Sequence, residues 1–155
     1  MRKYYLFIIN KDYKSIYSSN SNTLYQMLYN LYKLSFDDLR IGFSIYNQIC
    51  KTFNKKILMN YFKEKYNLKK KKDKIYLVNN KERIIIKINY SCVVIYTNVN
   101  IPKILKILYL YSKDIFIADF NNEDYFWLTK ETLKELFTIY YKFSKMYLGG
   151  KLWIG

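Results

Sequence analysis

The stretch IADFNNEDYFWL, residues 117–128, gathers the side chains best placed to do chemistry. Asp119 closes an apolar run, Glu123 and Asp124 follow in a polar patch, and Trp127 stands just beyond. A pair of carboxylates, one protonated and one ionised, is the equipment of glycoside hydrolysis. Carboxylates are also the only acid–base machinery available, because the chain contains no histidine. Ser-His-Asp and Cys-His nucleophile systems and histidine metal sites are therefore excluded. The phosphate-cradling patterns GxGxxG and GxxxxGKS or GxxxxGKT are missing too. Adjacent acidic residues are ordinary turn formers, and 12 acidic residues among 27 basic ones serve mainly as surface partners. The stretch thus reads as two short strands and their turn, with Trp127 packing the end of a sheet. No catalytic residue, cofactor site or metal site is assigned.

Recognition is the second chemistry on offer. The chain has 19 tyrosines and 10 phenylalanines, and Tyr13, Tyr17, Tyr25, Tyr29 and Tyr32 cluster on what read as two consecutive helices. Tyrosine joins a large apolar face to a wet hydroxyl, the type enriched at interface hot spots. For each of these residues core packing and an interface role both stand.

These side chains need a scaffold. Residues 4–9, YYLFII, form an unbroken apolar run, the mark of a central strand covered on both faces. Tyr13, Ile16 and Tyr17 recur at i, i+3 and i+4, predicting a short amphipathic helix. A second helix is expected from about residue 22, with Thr23 and Gln26 at capping-box spacing. Ser35 and Asp38 have the spacing of a further helix start, followed by Leu39, Phe43, Tyr46, Cys50 and Phe53 on one face. Residues 57–66 read as helix, and the lysine run LKKKKDK at 68–74 as a solvated loop.

Beyond the lysines the texture changes. KIYLV, RIIIKI and CVVIY, separated by Asn79-Asn80 and Asn89-Tyr90-Ser91, predict a three-stranded meander. Pro102 opens a helix with Ile104, Ile107, Leu108 and Tyr111 inside and Lys103 and Lys106 outside. IFIADF is a strand and YFWL a short edge strand. Thr129 caps a last helix carrying Leu133, Leu136, Phe137, Tyr140 and Tyr141, which Gly149-Gly150 ends. The expected fold is α/β (α+β): a single domain with a mixed β-sheet of about five strands and helices packed on it. Residues 1–128 form its body, and 129–155 a C-terminal helix and tail packed on the same domain.

Composition narrows the setting. A chain of 155 residues, 51% hydrophobic, suits one sizeable core. Cys50 and Cys92 are isolated in apolar contexts, as buried reduced thiols of a cytoplasmic protein would be. MRKYYLFIIN begins like a signal peptide, but Asn10, Lys11 and Asp12 stop the apolar run. No run reaches the roughly 18–20 residues that span a bilayer. The net charge of +15 invites nucleic-acid binding. Yet only Arg2, Arg40 and Arg83 are arginine, the usual bidentate reader of phosphates and bases.

KYYLFIINKDYKSIYSS near the start, NQI at 47–49 and DFNNEDYFWL at 119–128 resemble the sporulation inhibitor of replication family, SirA. The resemblance spans residues 3–128. It implies a non-enzymatic protein that binds the N-terminal domain of the replication initiator DnaA through an apolar helical surface, at entry into sporulation. It implies partner-binding roles for Tyr13 and Tyr17, one helical turn apart, and for Gln48 at the border of that surface. A monomer, or a 1:1 complex with the partner, is expected. Lys51 stands where an aromatic residue would be expected, and the helix after Thr129 and the tail LGGKLWIG extend beyond the family's usual end. The alternatives are a basic nucleic-acid-binding module or another protein-interaction module.

Overall fold

The computed structural model describes residues 1–34, 39–89, 92–100 and 102–138, with the backbone alone for 39–41. The expected helix start at Ser35–Asp38, the turn at Tyr90-Ser91, Tyr140, Tyr141, Gly149-Gly150 and the tail lie outside the described residues.

Strand β1 (Arg2–Ile9) is the centre of the fold. Its alternation puts Tyr4, Leu6 and Ile8 into one core and Tyr5, Phe7 and Ile9 into the other. Helix α1 (Lys11–Tyr17), α2 (Ser21–Tyr32) and α3 (Leu39–Ile49) follow, then a two-residue strand β2 (Cys50–Lys51) and α4 (Lys55–Lys63). Four strands come next: β3 (Asn67–Lys71), β4 (Lys74–Val78), β5 (Arg83–Ile88) and β6 (Val93–Thr97). Helix α5 (Ile104–Tyr111) leads to β7 (Ile115–Asp119) and β8 (Asp124–Trp127), and α6 occupies 130–138.

The sheet order is β3-β4-β5-β6-β1-β7-β8, with β2 on β1 beyond the end of β6. Every strand pairing is antiparallel. The fold is α+β, and the expectation of a mixed sheet of about five strands is corrected to eight antiparallel strands among the described residues. Short connections join β3 to β4, β4 to β5 and β7 to β8, and such hairpins give antiparallel pairs.

Two of the added strands, β2 and β3, lie where the sequence pattern predicts helix and loop. The lysine run is not a loop: Asn67–Lys71 pairs with β4 across a two-residue turn, with Lys72 at φ 56°. Edge strands are commonly blunted by lysine, which is why this one looked like solvated loop. The third helix does not reach Phe53. It stops at Ile49 because Cys50 and Lys51 pair with Ile9 and Ile8, backbone that β6 does not reach. Phe53 then crosses to the opposite core.

Helices α4, α5 and α6 cover one face through Leu58, Phe62, Ile104, Leu108 and Leu133. The other face is covered by α1–α3, with Leu24, Tyr25, Leu28 and Leu31 of α2 buried against Phe7, Phe116 and Phe120. Burying each such side chain contributes about 1.5–3 kcal/mol. Thr129 caps α6 as expected, its Oγ1 accepting from the Thr132 amide at 3.0 Å. At α2 the expected Thr23–Gln26 box is absent: the helix begins at Ser21, and the preceding Asn20 makes no side-chain cap.

Candidate partner-binding surface

Helix α1 sits where β1 leaves the sheet, and three neighbours fix it. The Asn10 amide donates to the Ile49 carbonyl at 2.7 Å, and its Nδ2 to the Gln48 carbonyl at 2.7 Å, joining the start of α1 to the end of α3. Lys14 Nζ donates to the Lys113 carbonyl at 2.7 Å and pairs with Asp114 at 3.0 Å, joining α1 to the entry of β7. The same ammonium lies 5.7 Å from the Trp127 ring. Trp127 Nε1 in turn donates to Ser21 Oγ, at the first residue of α2.

Gln48 is thereby brought beside α1, its side chain exposed. Tyr13 and Tyr17 are half-buried, resting on the α1–α3 core without entering it, and no residue of α1 is fully buried. Tyr17 Oη lies 4.0 Å from Met27 Sδ of α2. Ile16 does not share their buried side. It is 58% exposed, as is half of Phe43 on α3. The amphipathic stripe Tyr13-Ile16-Tyr17 is therefore split, with the tyrosines leaning on the core and the isoleucine facing outward.

A groove of about 460 Å³ continues this surface between α2 and α3, lined by Met27, Leu31, Leu34 and Ile45 among others. Sequence reasoning missed it. Its signal was present in Thr23, Met27 and Asn30, which recur along one face of α2 beside the buried stripe, with Leu34 just beyond its end.

The acidic stretch holds the scaffold. Asp119 is 2% exposed and accepts from Arg2 Nε at 2.8 Å, from Asn122 Nδ2 at 2.8 Å and from the Asn122 amide at 3.2 Å. Burial alone would push its carboxyl up, but the hydrogen bonds from Asn122 and Arg2 outweigh it and hold it below the ordinary range. Asp124 approaches the same guanidinium at 3.6 Å, and Glu123 takes φ 51° in the turn. Phe120, in that turn, is buried among Tyr5, Tyr25, Tyr29 and Tyr32, with ring centroids 4.9–5.7 Å away. Trp127 meets Phe116 edge-on at 5.1 Å.

Cys50 and Cys92 are free and buried, and burial pushes their thiols up to about 12 and about 11. Among the described residues no group of three or more acidic or cysteine side chains could hold a metal, and no helix is long and apolar enough to cross a membrane.

The fold and this surface define an α+β protein that presents a helical aromatic face. No protein-family model matches the chain, and no curated protein matches it significantly in sequence.

Proposed function

We propose that this protein is a non-enzymatic, cytoplasmic inhibitor of DNA replication initiation. It docks α1 and the end of α3 on the N-terminal domain of the initiator DnaA, at entry into sporulation and without a cofactor. The observation that carries this reading is the disposition of α1. A seven-residue helix with no buried side chain holds Tyr13 and Tyr17 half-exposed beside Gln48 and the apolar α2–α3 groove. Large rings next to an apolar groove with a polar border have the anatomy of a binding hot spot. The identity of the partner rests on the resemblance of residues 3–19, 47–49 and 119–128 to the SirA family.

Titration of the recombinant DnaA N-terminal domain into the protein, followed by calorimetry, tests it. Tyr13→Ala and Tyr17→Ala should each weaken binding by about 2 kcal/mol or more, and Gln48→Ala by less. Both rings also lean on the core, so melting temperature is measured alongside. Ile16→Glu is the cleaner probe, because an exposed side chain carries little stability. It should abolish binding at unchanged melting temperature. Folded variants at all three α1 positions that bind like the parent would sink the reading.

A further inference from the structure

Among the described residues, the face of the sheet that α1–α3 cover is only partly covered. The core beneath those helices takes residues from β1, β2, β6, β7 and β8 and none from β3, β4 or β5. Strand register shows what the open part presents. Lys69, Tyr76, Ile85, Tyr96 and Lys3 are directly paired neighbours across five strands, so they form one row on that face. Lys71, Lys74 and Lys87 form the adjacent row. Both tyrosines are half-buried, Tyr96 at the border of the core beneath α1–α3, and Val78 on the same face is 45% exposed.

Three lysines directly opposite one another are unfavourable in an isolated sheet. Among the described residues their charge is relieved by one ion pair, Lys87 with Asp73 at 3.5 Å, both side chains well exposed. Edge protection accounts for lysines on β3. It does not account for Lys87, which lies on β5 with strands on both sides. Lys3 lies 5.2 Å from the Tyr96 ring and 4.9 Å from that of Tyr5, extending the positive charge to the far end of the aromatic row.

We propose that this open face binds a single-stranded polynucleotide, with bases stacked on Tyr76 and Tyr96 and phosphates on the row Lys71, Lys74 and Lys87. Charge complementarity selects a polyanion. The rings select one with exposed bases, since stacking on aromatics is the sequence-tolerant contact of single-strand binders. Tyr76 and Tyr96 are two strand spacings apart, roughly 9.5 Å. Stacked bases of a duplex rise only about 3.4 Å, so the strand must be splayed to reach both rings. Base stacking and phosphate contacts do not involve the sugar, so DNA and RNA strands should bind alike. This surface is separate from α1 and does not depend on the identity of the α1 partner.

Fluorescence anisotropy with fluorescein-labelled oligo(dT) and oligo(rU) of about 15 nucleotides tests the proposal in the full chain. Both should bind, with log K falling against log salt at a slope of about −2 for three neutralised phosphates. Lys74→Glu and Lys87→Glu should each remove most of the binding at unchanged circular dichroism. Tyr76→Ala and Tyr96→Ala should each weaken it about tenfold, and Tyr→Phe at either position should restore it. Ile16→Glu on α1 should leave it intact. Absence of binding at low salt, insensitivity to the lysine variants, or equal binding of duplex DNA or poly-glutamate would overturn the proposal.

Discussion

Lys14 lies 5.7 Å from the ring of Trp127, and that contact joins the two most distinctive stretches of the chain. Trp127 holds α1 through Lys14 and α2 through Ser21, so one indole sets the angle of the helix pair bearing Tyr13 and Tyr17. Trp127→Ala should therefore cost about 3 kcal/mol in urea unfolding, chiefly through lost packing on Phe116. Trp127→Phe should retain most of the stability yet weaken partner binding, because the hydrogen bond to Ser21 is gone. Parent-like binding by Trp127→Phe would show that the indole does not position α1.

The long periodic segments were legible because their pattern and their packing agree. The run 4–9 buries both faces, and α5 hides Ile104, Ile107 and Leu108 while exposing Lys103 and Lys106, as the spacing dictates. What was not legible depended on pairing. Lys69 and Lys71 form strand only because β4 offers an edge, and Cys50 leaves the helical stripe only because β1 has unpaired backbone there. Neither partner is local in sequence for Cys50, so no window around it could reveal the bridge. The candidate site was legible as residue types, in Tyr13, Tyr17 and Gln48. Its geometry was not, since the bond from Asn10 to Gln48 spans 38 positions.

Asp119 gives the fold an acid-sensitive latch. Its folded-state pKa lies below the ordinary 3.8, so its stabilisation is complete above that value and is lost as pH falls through the depressed folded-state value. Asp119→Asn should lower stability at pH 7 by about 1.5–3 kcal/mol, the range for hydrogen bonds to a charged group. Arg2 is 27% exposed, so solvent screening favours the lower end. The deficit should shrink as pH is taken below 3.8, where the parent loses the same contribution. A difference in urea midpoint that stayed constant from pH 7 to below that point would contradict this role.

Tyr25 offers the opposite test, a substitution that should help. Its ring stacks with Tyr125 at 4.7 Å and with Tyr29 at 6.2 Å, while its buried hydroxyl finds no hydrogen-bond partner among the described residues. Burial pushes that phenol up, consistent with an apolar setting. Removing an unsatisfied buried hydroxyl while keeping the ring should raise stability by about 1 kcal/mol in Tyr25→Phe. Calorimetric melting reads this directly. A lower melting temperature would mean that the hydroxyl is satisfied, by ordered water for example.

The lysines of β3 separate steering from contact. Strand β3 lies four strand spacings from β1, roughly 19 Å, and α1 leaves from the end of β1. That distance exceeds the Debye length of about 8 Å at physiological salt but not the roughly 30 Å at 0.01 M. If the partner presents an acidic surface, charge on β3 can therefore act on its approach only when salt is low. Replacing Lys69, Lys70, Lys71 and Lys72 with glutamine should lower the on-rate for the DnaA N-terminal domain in dilute buffer. The loss should vanish at physiological ionic strength, and the off-rate should stay unchanged at both. Stopped-flow association at the two salt levels measures it. An off-rate that rises at either salt would place β3 inside the protein interface, bringing the open sheet face and α1 into competition for one partner.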